Sequence, residues 1–358
     1  MAIARNPIWT WAGPLAGWLT LLGAGLGGGF VVVLVLALGT CVLAAVHHAE
    51  VIAHRTGEPY GTLVLALAVT VIEVALIVSL MVSGGPLATA LARDTIFAAV
   101  MLILNGIVGT CLLVGGVWHR EQTFDTRGVS SAMAVLAALS VLTLVLPNYT
   151  TSISGPYYSP GQLIAVAFVS LALYATFVLV QTVRHRGYFL PEGDAATDES
   201  VQAPKPTNRT TAASGALLLA SLGAVVLLAK AIAPTLEAIL QGAGAPKAVV
   251  GVIIAAMVLL PEGLAAVRAA RANRIQTSLN LALGSALASI ALTIPTVAIV
   301  SLVAGWPLIL GLDGKSTVLL ALSLLVATLA LSTGRTTVLQ GAVHLVILAV
   351  YLVTTLIP

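Results

Sequence analysis

Eleven stretches of this 358-residue sequence are each predominantly apolar over 18 residues or more. Such a run is long enough to cross the ~30 Å hydrocarbon core of a bilayer as a helix. They lie at about 10–27, 29–46, 61–83, 95–117, 129–147, 161–183, 211–232, 248–267, 277–303, 316–333 and 336–356. Backbone groups in lipid must be satisfied within their own segment, so repeated runs of this length leave an all-α, polytopic membrane protein as the fold. Composition agrees: only 8% of residues are charged, 59% are hydrophobic and mean hydropathy is +1.07. A soluble chain of this size needs about a quarter of its residues charged to clothe its surface.

The Lys and Arg residues set an orientation. Threading the eleven spans puts twelve of the sixteen on the side of the N-terminus and four, Arg93, Lys230, Lys247 and Lys315, on the other. The positive-inside rule then places the N-terminus in the cytoplasm and the C-terminus outside. The same bias explains the net charge of +3 without invoking nucleic acid. Trp9, Trp11 and Trp18 suit a membrane interface, and the first span reads as a retained helix rather than a cleaved leader. Cys41 and Cys111 fall within apolar runs and read as small buried hydrophobes. The run GAGLGGG at 23–29 reads either as a tight turn or as a pliable part of one long helix. It lacks the lysine of a phosphate-binding loop, and no nucleophile–base triad is visible.

A polar stretch, RHRGYFLPEGDAATDESVQAPKPTNRTT (184–211), divides the spans and reads as a flexible cytoplasmic linker. The expected organisation is an extra N-terminal helix (1–28), a first membrane repeat (29–183), the linker (184–210) and a second repeat (211–358). The repeats share a string. LNGIVGTCL (104–112) and LNLALGSAL (279–287) both fit Leu-Asn-x3-Gly-(Thr/Ser)-x-Leu. Each follows a span carrying one glutamate, Glu73 or Glu262, and the span count runs these two helices in opposite directions. Inverted repeats around a midplane site are a common build of secondary transporters.

Glu73 and Glu262 are the carboxylates left at membrane depth once every Asp and Glu in or beside a loop is set aside. A charge at a helix centre costs about 2.5–3.5 kcal/mol on insertion scales, so it marks function more often than packing. Two carboxylates with no intramembrane Lys or Arg to pair with raise each other's proton affinity if they face one another. An empty site then holds protons, and a divalent cation can replace them. Thr70, one helical turn before Glu73, together with Asn105, Ser285 and Ser289, adds the oxygens that hard cations require. Backbone unwound near Pro261 would offer carbonyls as well.

At these residues the sequence resembles the calcium/cation antiporter superfamily, in its cation–proton exchanger branch. AEVIAHRTGEPYGTLVLALAVTVIEVALI (49–77) and LLPEGLAAVRAARAN…SLNLALGSALASIALTIP look specifically like the bacterial ChaA-type calcium (sodium/potassium)–proton antiporters. The resemblance implies an eleven-helix fold of one extra helix and two inverted five-helix repeats. It implies Glu73 and Glu262 as cation ligands, with Asn105 and Ser285 or Ser289 from the next helix of each repeat. It pairs Asn105 nearer Ser289, whereas the internal string pairs it with Asn280. Amide residues that relatives carry before each glutamate are missing here, with Thr70 in place of one, which leaves room for sodium or potassium.

The function expected is a secondary antiporter of the inner membrane of a bacterium, exchanging Ca2+ for H+ by alternating access and needing no cofactor. The alternative is Na+ or K+ exchange at the same residues. A membrane-embedded metal-dependent enzyme would need a basic head-group pocket within the spans, which the sequence lacks; a receptor or scaffold would not need two depth-matched carboxylates. The expected partners are lipid, cations and protons, and a homo-oligomer is compatible with the sequence. His47, Glu50 and His54 share one helical face near the cytoplasmic end of a span and suggest a cation or proton relay. Glu237 reads as interfacial and His344 as a hydrogen-bonded packing histidine.

Overall fold

The computed structural model describes residues 7–26, 29–57, 60–84, 89–190, 205–242, 246 and 248–357. The central part of the expected linker (191–204), Glu58, Lys247 and the side chain of Glu237 lie outside the described residues. Among the described residues there are eleven main helices and no strand. They are α1 (Ile8–Leu21), α2 (Phe30–Thr56), α3 (Tyr60–Gly84), α4 (Leu91–His119), α5 (Thr126–Tyr149), α6 (Pro160–Arg184), α7 (Asn208–Gly242), α8 (Ala248–Arg271), α9 (Ile275–Ala304), α10 (Gly314–Leu331) and α11 (Val338–Leu356). Nine are long and apolar enough to cross a membrane; α3 contributes a shorter apolar window, Ala66–Val82, and α1 has 14 residues. The glycine run breaks the chain: α1 stops at Leu21, a single 3₁₀ turn covers Ala24–Leu26, and α2 starts at Phe30. α2 then runs to Thr56, ten residues past the apolar span, and ends where Gly57 turns to φ +76°.

Helix starts follow side-chain chemistry. Asp125 and Asp313 accept hydrogen bonds from the Arg127 and Ser316 backbone N–H at the first turns of α5 and α10. Ser159 with Gln162, and Thr337 with Gln340, form reciprocal capping boxes on α6 and α11. At the exit of α9, Gly305 adopts the left-handed conformation that closes a helix.

The helices sort into two compact units. In the first, α2 packs against α1, α3 and α7, and α7 also meets α3 and α1. His48, fully buried on α2, ties three of these together: its Nε2–H donates to the Thr10 carbonyl (3.0 Å) and its Nδ1 accepts from Ser214 (3.3 Å). Arg55 closes one end by donating to the Pro206 carbonyl and Asn208.

In the second unit, α4 and α9 form the centre. The buried share of their most apolar window is 72% and 67%, against 44% or less for the other long helices. These are the helices that carry the two matching strings. Around them α8 packs on α4 and α9, α11 on α4, α5 and α6 on α9, and α10 on α5 and α11. Small residues allow the closest approach. Gly341 of α11 lies on the backbone of Gly109 and Leu113 in α4, and a Cβ added at Gly109 would sit 2.8 Å from the Cβ of His344.

The loops of this unit gather at two ends. At one, His119 hydrogen-bonds the Arg271 carbonyl, Gln122 donates to Asn273 and the Ala270 carbonyl, and Gln276 accepts from the Asp125 N–H. Across the same end the Phe124 N–H donates to the Gly334 carbonyl and the Thr336 N–H to the Gln122 carbonyl. Eight arginines collect there. Arg127 lies 4.3 Å over the Tyr188 ring and Arg271 4.6 Å over Trp118, a pairing of cations with interfacial aromatics. Hydrogen bonds from Arg127 hold the Asp125 carboxyl below the usual carboxylate range. At the opposite end Arg93 donates to the Gly311 carbonyl, Asn148 to Leu312 and Lys315 to Thr354.

Candidate cation site

In the first unit Glu73 is 2% exposed, within a helix whose near neighbours Val69, Ile72, Leu76 and Ile77 are also buried. Thr70 stands one turn earlier and is 3% exposed. Its hydroxyl proton goes to the Ala66 carbonyl at 2.8 Å, so the lone pairs of its oxygen remain available as an acceptor. His47, Glu50 and His54 all fall on α2 and are half-buried. His47 packs against the Trp9 ring, with centroids 5.6 Å apart, and edge-on to His48. Of the histidines in this stretch, His48 has side-chain and backbone partners on two other helices, contacts that helical spacing alone does not reveal.

In the second unit Glu262 is also 2% exposed, and Ser285 of α9 donates its hydroxyl to Glu262 Oε2. Ser289 follows Ser285 by one turn on the same face and is 2% exposed. Asn280, the alternative partner by the internal string, is engaged elsewhere. It donates to the Phe189 carbonyl at 2.6 Å and accepts from Gln276 near the start of α9. The serine register therefore has the buried oxygens, and Asn280 does not.

The expected unwinding at Pro261 is corrected by the structure. α8 is continuous from Ala248 to Arg271 with Pro261 inside it. Proline removes one amide, so the carbonyl four residues back, on Met257, loses that donor while the helix goes on. The irregular backbone lies instead around Asn105. Residues Leu102–Val108 form a π-helical segment within α4. Such widened turns are rare and concentrate at functional positions.

Asn105 is fully buried there. Its amide donates to Ser323 of α10 (2.8 Å), and His344 Nδ1 of α11 lies 3.1 Å from its oxygen. The reading of His344 as a hydrogen-bonded packing residue holds for one ring nitrogen. The other, Nε2, is buried with no hydrogen-bond partner among the described residues. Sequence gave no signal for Ser323, and His344 is 239 residues from Asn105. Among the described residues no three His, Cys, Asp or Glu side chains cluster as metal ligands. A cation held here would therefore draw on hydroxyl, amide, backbone or water oxygens beside a carboxylate, the donor set of a hard ion.

Eleven helices among the described residues, nine of them long and apolar enough to cross a membrane, with Glu73 and Glu262 buried in two of the eleven, make this a multi-pass membrane protein. Residues 26–183 and 213–357 match the model of the sodium/calcium exchanger protein family, and the chain belongs to that family. Within it the chain sits among the cation/proton antiporters, which are secondary transporters. It is 49% identical over 361 residues to y4hA of Sinorhizobium fredii, proposed by its name to be an ionic transporter, covering 99% of this chain and 98% of that one. It is 38% identical over 312 residues to the sodium-potassium/proton antiporter ChaA of Escherichia coli, covering 87% and 84%. The fold is similar to that of the H+/Ca2+ exchanger CAX, with a TM-score of 0.73 at 17% identity over 96% of this chain and 86% of that one. It is likewise similar to native YfkE, with a TM-score of 0.74 at 16% identity over 98% and 99%.

Proposed function

We propose that this protein is a Ca2+/H+ antiporter of the bacterial cytoplasmic membrane, and that Glu73 and Glu262 bind proton or cation in alternation. The observation that carries the reading is the environment of Glu262: a carboxylate at 2% exposure, hydrogen-bonded by Ser285, with Ser289 one turn away. A carboxylate at this depth can be neutralised by a proton or by a cation that displaces it. Thr70 and Glu73 make the corresponding pair in the first unit, and Asn105 supplies an amide oxygen. The transported ions are substrates, and no cofactor enters the cycle. Two inverted five-helix repeats with a cytoplasmic N-terminus complete the reading. They are supported by the matching strings on α4 and α9 and by the arginines gathered at one end of the second unit.

Exchange of Na+ or K+ is the second reading, favoured by the 38% identity to a sodium-potassium/proton antiporter and by the hydroxyl-rich, amide-poor donors. Everted vesicles carrying a pH-sensitive dye separate the two. Each cation added to an acid-loaded vesicle should release protons in proportion to its use as substrate, and Ca2+ is expected to act at the lowest concentration. Glu73→Gln and Glu262→Gln should each reduce exchange to background. Exchange surviving in both variants would refute the carboxylate mechanism.

A further inference from the structure

The network around Asn105 is directional. The Ser323 hydroxyl, with one proton to give, faces the Leu319 carbonyl at 2.7 Å and Met101 Sδ at 3.4 Å, both of which can only accept. The Ser323 oxygen must then accept from Asn105, which turns the amide nitrogen toward α10. The second amide hydrogen points to Met101 Sδ at 3.8 Å. The Asn105 oxygen is thereby turned toward α11, where it can only accept, so His344 Nδ1 must carry a hydrogen. The Nε2 atom of the same ring is buried with no hydrogen-bond partner among the described residues. His344, Asn105, Ser323 and the Leu319 carbonyl form one chain of hydrogen bonds across α11, α4 and α10, with Asn105 in the π-helical segment of α4.

We propose that His344 is a positioning residue for ion exchange: its Nδ1–H, with Ser323 opposite, fixes the amide of Asn105 in a single orientation. One lone pair of the Asn105 oxygen is held by the imidazole, and the other is left for a transported cation. Without the imidazole donor the amide can rotate within the widened turn and present its nitrogen, which repels a cation. This inference rests on the exchange reading and on Asn105 as a ligand. The ring is held close by the absence of a side chain at Gly109, against which the His344 Cβ packs.

The test measures apparent KM and maximal rate for Ca2+ and Na+ in everted vesicles, with the melting temperature of each purified variant as a check on folding. His344→Asn puts an amide N–H where Nδ1–H stands and should keep KM within about twofold of the wild type. His344→Leu and His344→Gln lack a donor at that position and should raise KM roughly five- to tenfold, the scale of one lost hydrogen bond, with the maximal rate little changed. Ser323→Ala, a small deletion that should leave the helices folded, is expected to raise KM in the same direction. A wild-type KM in Ser323→Ala or His344→Leu would overturn the proposal. So would a His344→Asn variant as impaired as His344→Leu, since ring packing rather than the donor would then be the cause. Glu262→Gln in the same assay separates the two levels. Exchange lost there but unaffected in His344→Leu refutes the positioning role alone, whereas exchange retained in Glu262→Gln refutes the functional reading beneath it.

Discussion

Glu73 and Glu262 are equally buried, yet their helices treat them differently. On α3 the near neighbours along the helix, Val69, Ile72, Leu76 and Ile77, are buried aliphatics, and Thr70, one turn before the glutamate, donates to the Ala66 carbonyl of the same helix. On α8 the glutamate follows a proline and receives a hydroxyl from Ser285 of α9, one turn before a second buried serine, Ser289. The difference teaches that two carboxylates of similar depth need not hold a proton or an ion equally well. A hydroxyl that donates to a carboxylate also fixes the position of its oxygens. We propose that Glu262, with Ser285 donating to it, is the better-held cation ligand of the two.

Ser285→Ala should break the contrast most. It removes a hydrogen bond to a carboxylate, worth about 1.5–3 kcal/mol, and should raise the cation KM by roughly tenfold or more. Thr70→Val removes a hydroxyl whose proton already serves the Ala66 carbonyl and should raise KM by about threefold or less. KM measured in parallel vesicle assays checks both, and a larger cost for Thr70→Val than for Ser285→Ala would reverse the assignment of the stronger cation ligand. Pro261→Ala should matter least. α8 is already continuous, so restoring the amide to the Met257 carbonyl should leave exchange within about twofold and the melting temperature equal or higher. A loss of exchange in that variant would show that the freed carbonyl takes part in ion binding.

Much of this arrangement was legible in the residues. Apolar run length fixes helices in lipid because no other backbone geometry is satisfied there, and a carboxylate within such a run announces itself. The string shared by α4 and α9 picked out the two most buried helices of their unit, since close packing demands the small residues that make the string. Three features were hidden, each because it depends on contacts far apart in sequence or on a backbone choice without a residue signature. LNGIV gives no sign of a widened turn. His344 finds Asn105 from another helix, as His48 finds Thr10 and Ser214. Pro261 suggested unwinding because proline removes an amide, but the turns on either side were enough to carry the helix through it.

The central claim is that protons and cation compete for the same carboxylates. Proton release on cation binding, followed in weakly buffered detergent solution with purified protein, tests it most directly. Saturating Ca2+ should release protons from the wild type, and fewer from Glu73→Gln and from Glu262→Gln. Calcium that binds the wild type without releasing protons, or that releases as many from both variants, would contradict the account.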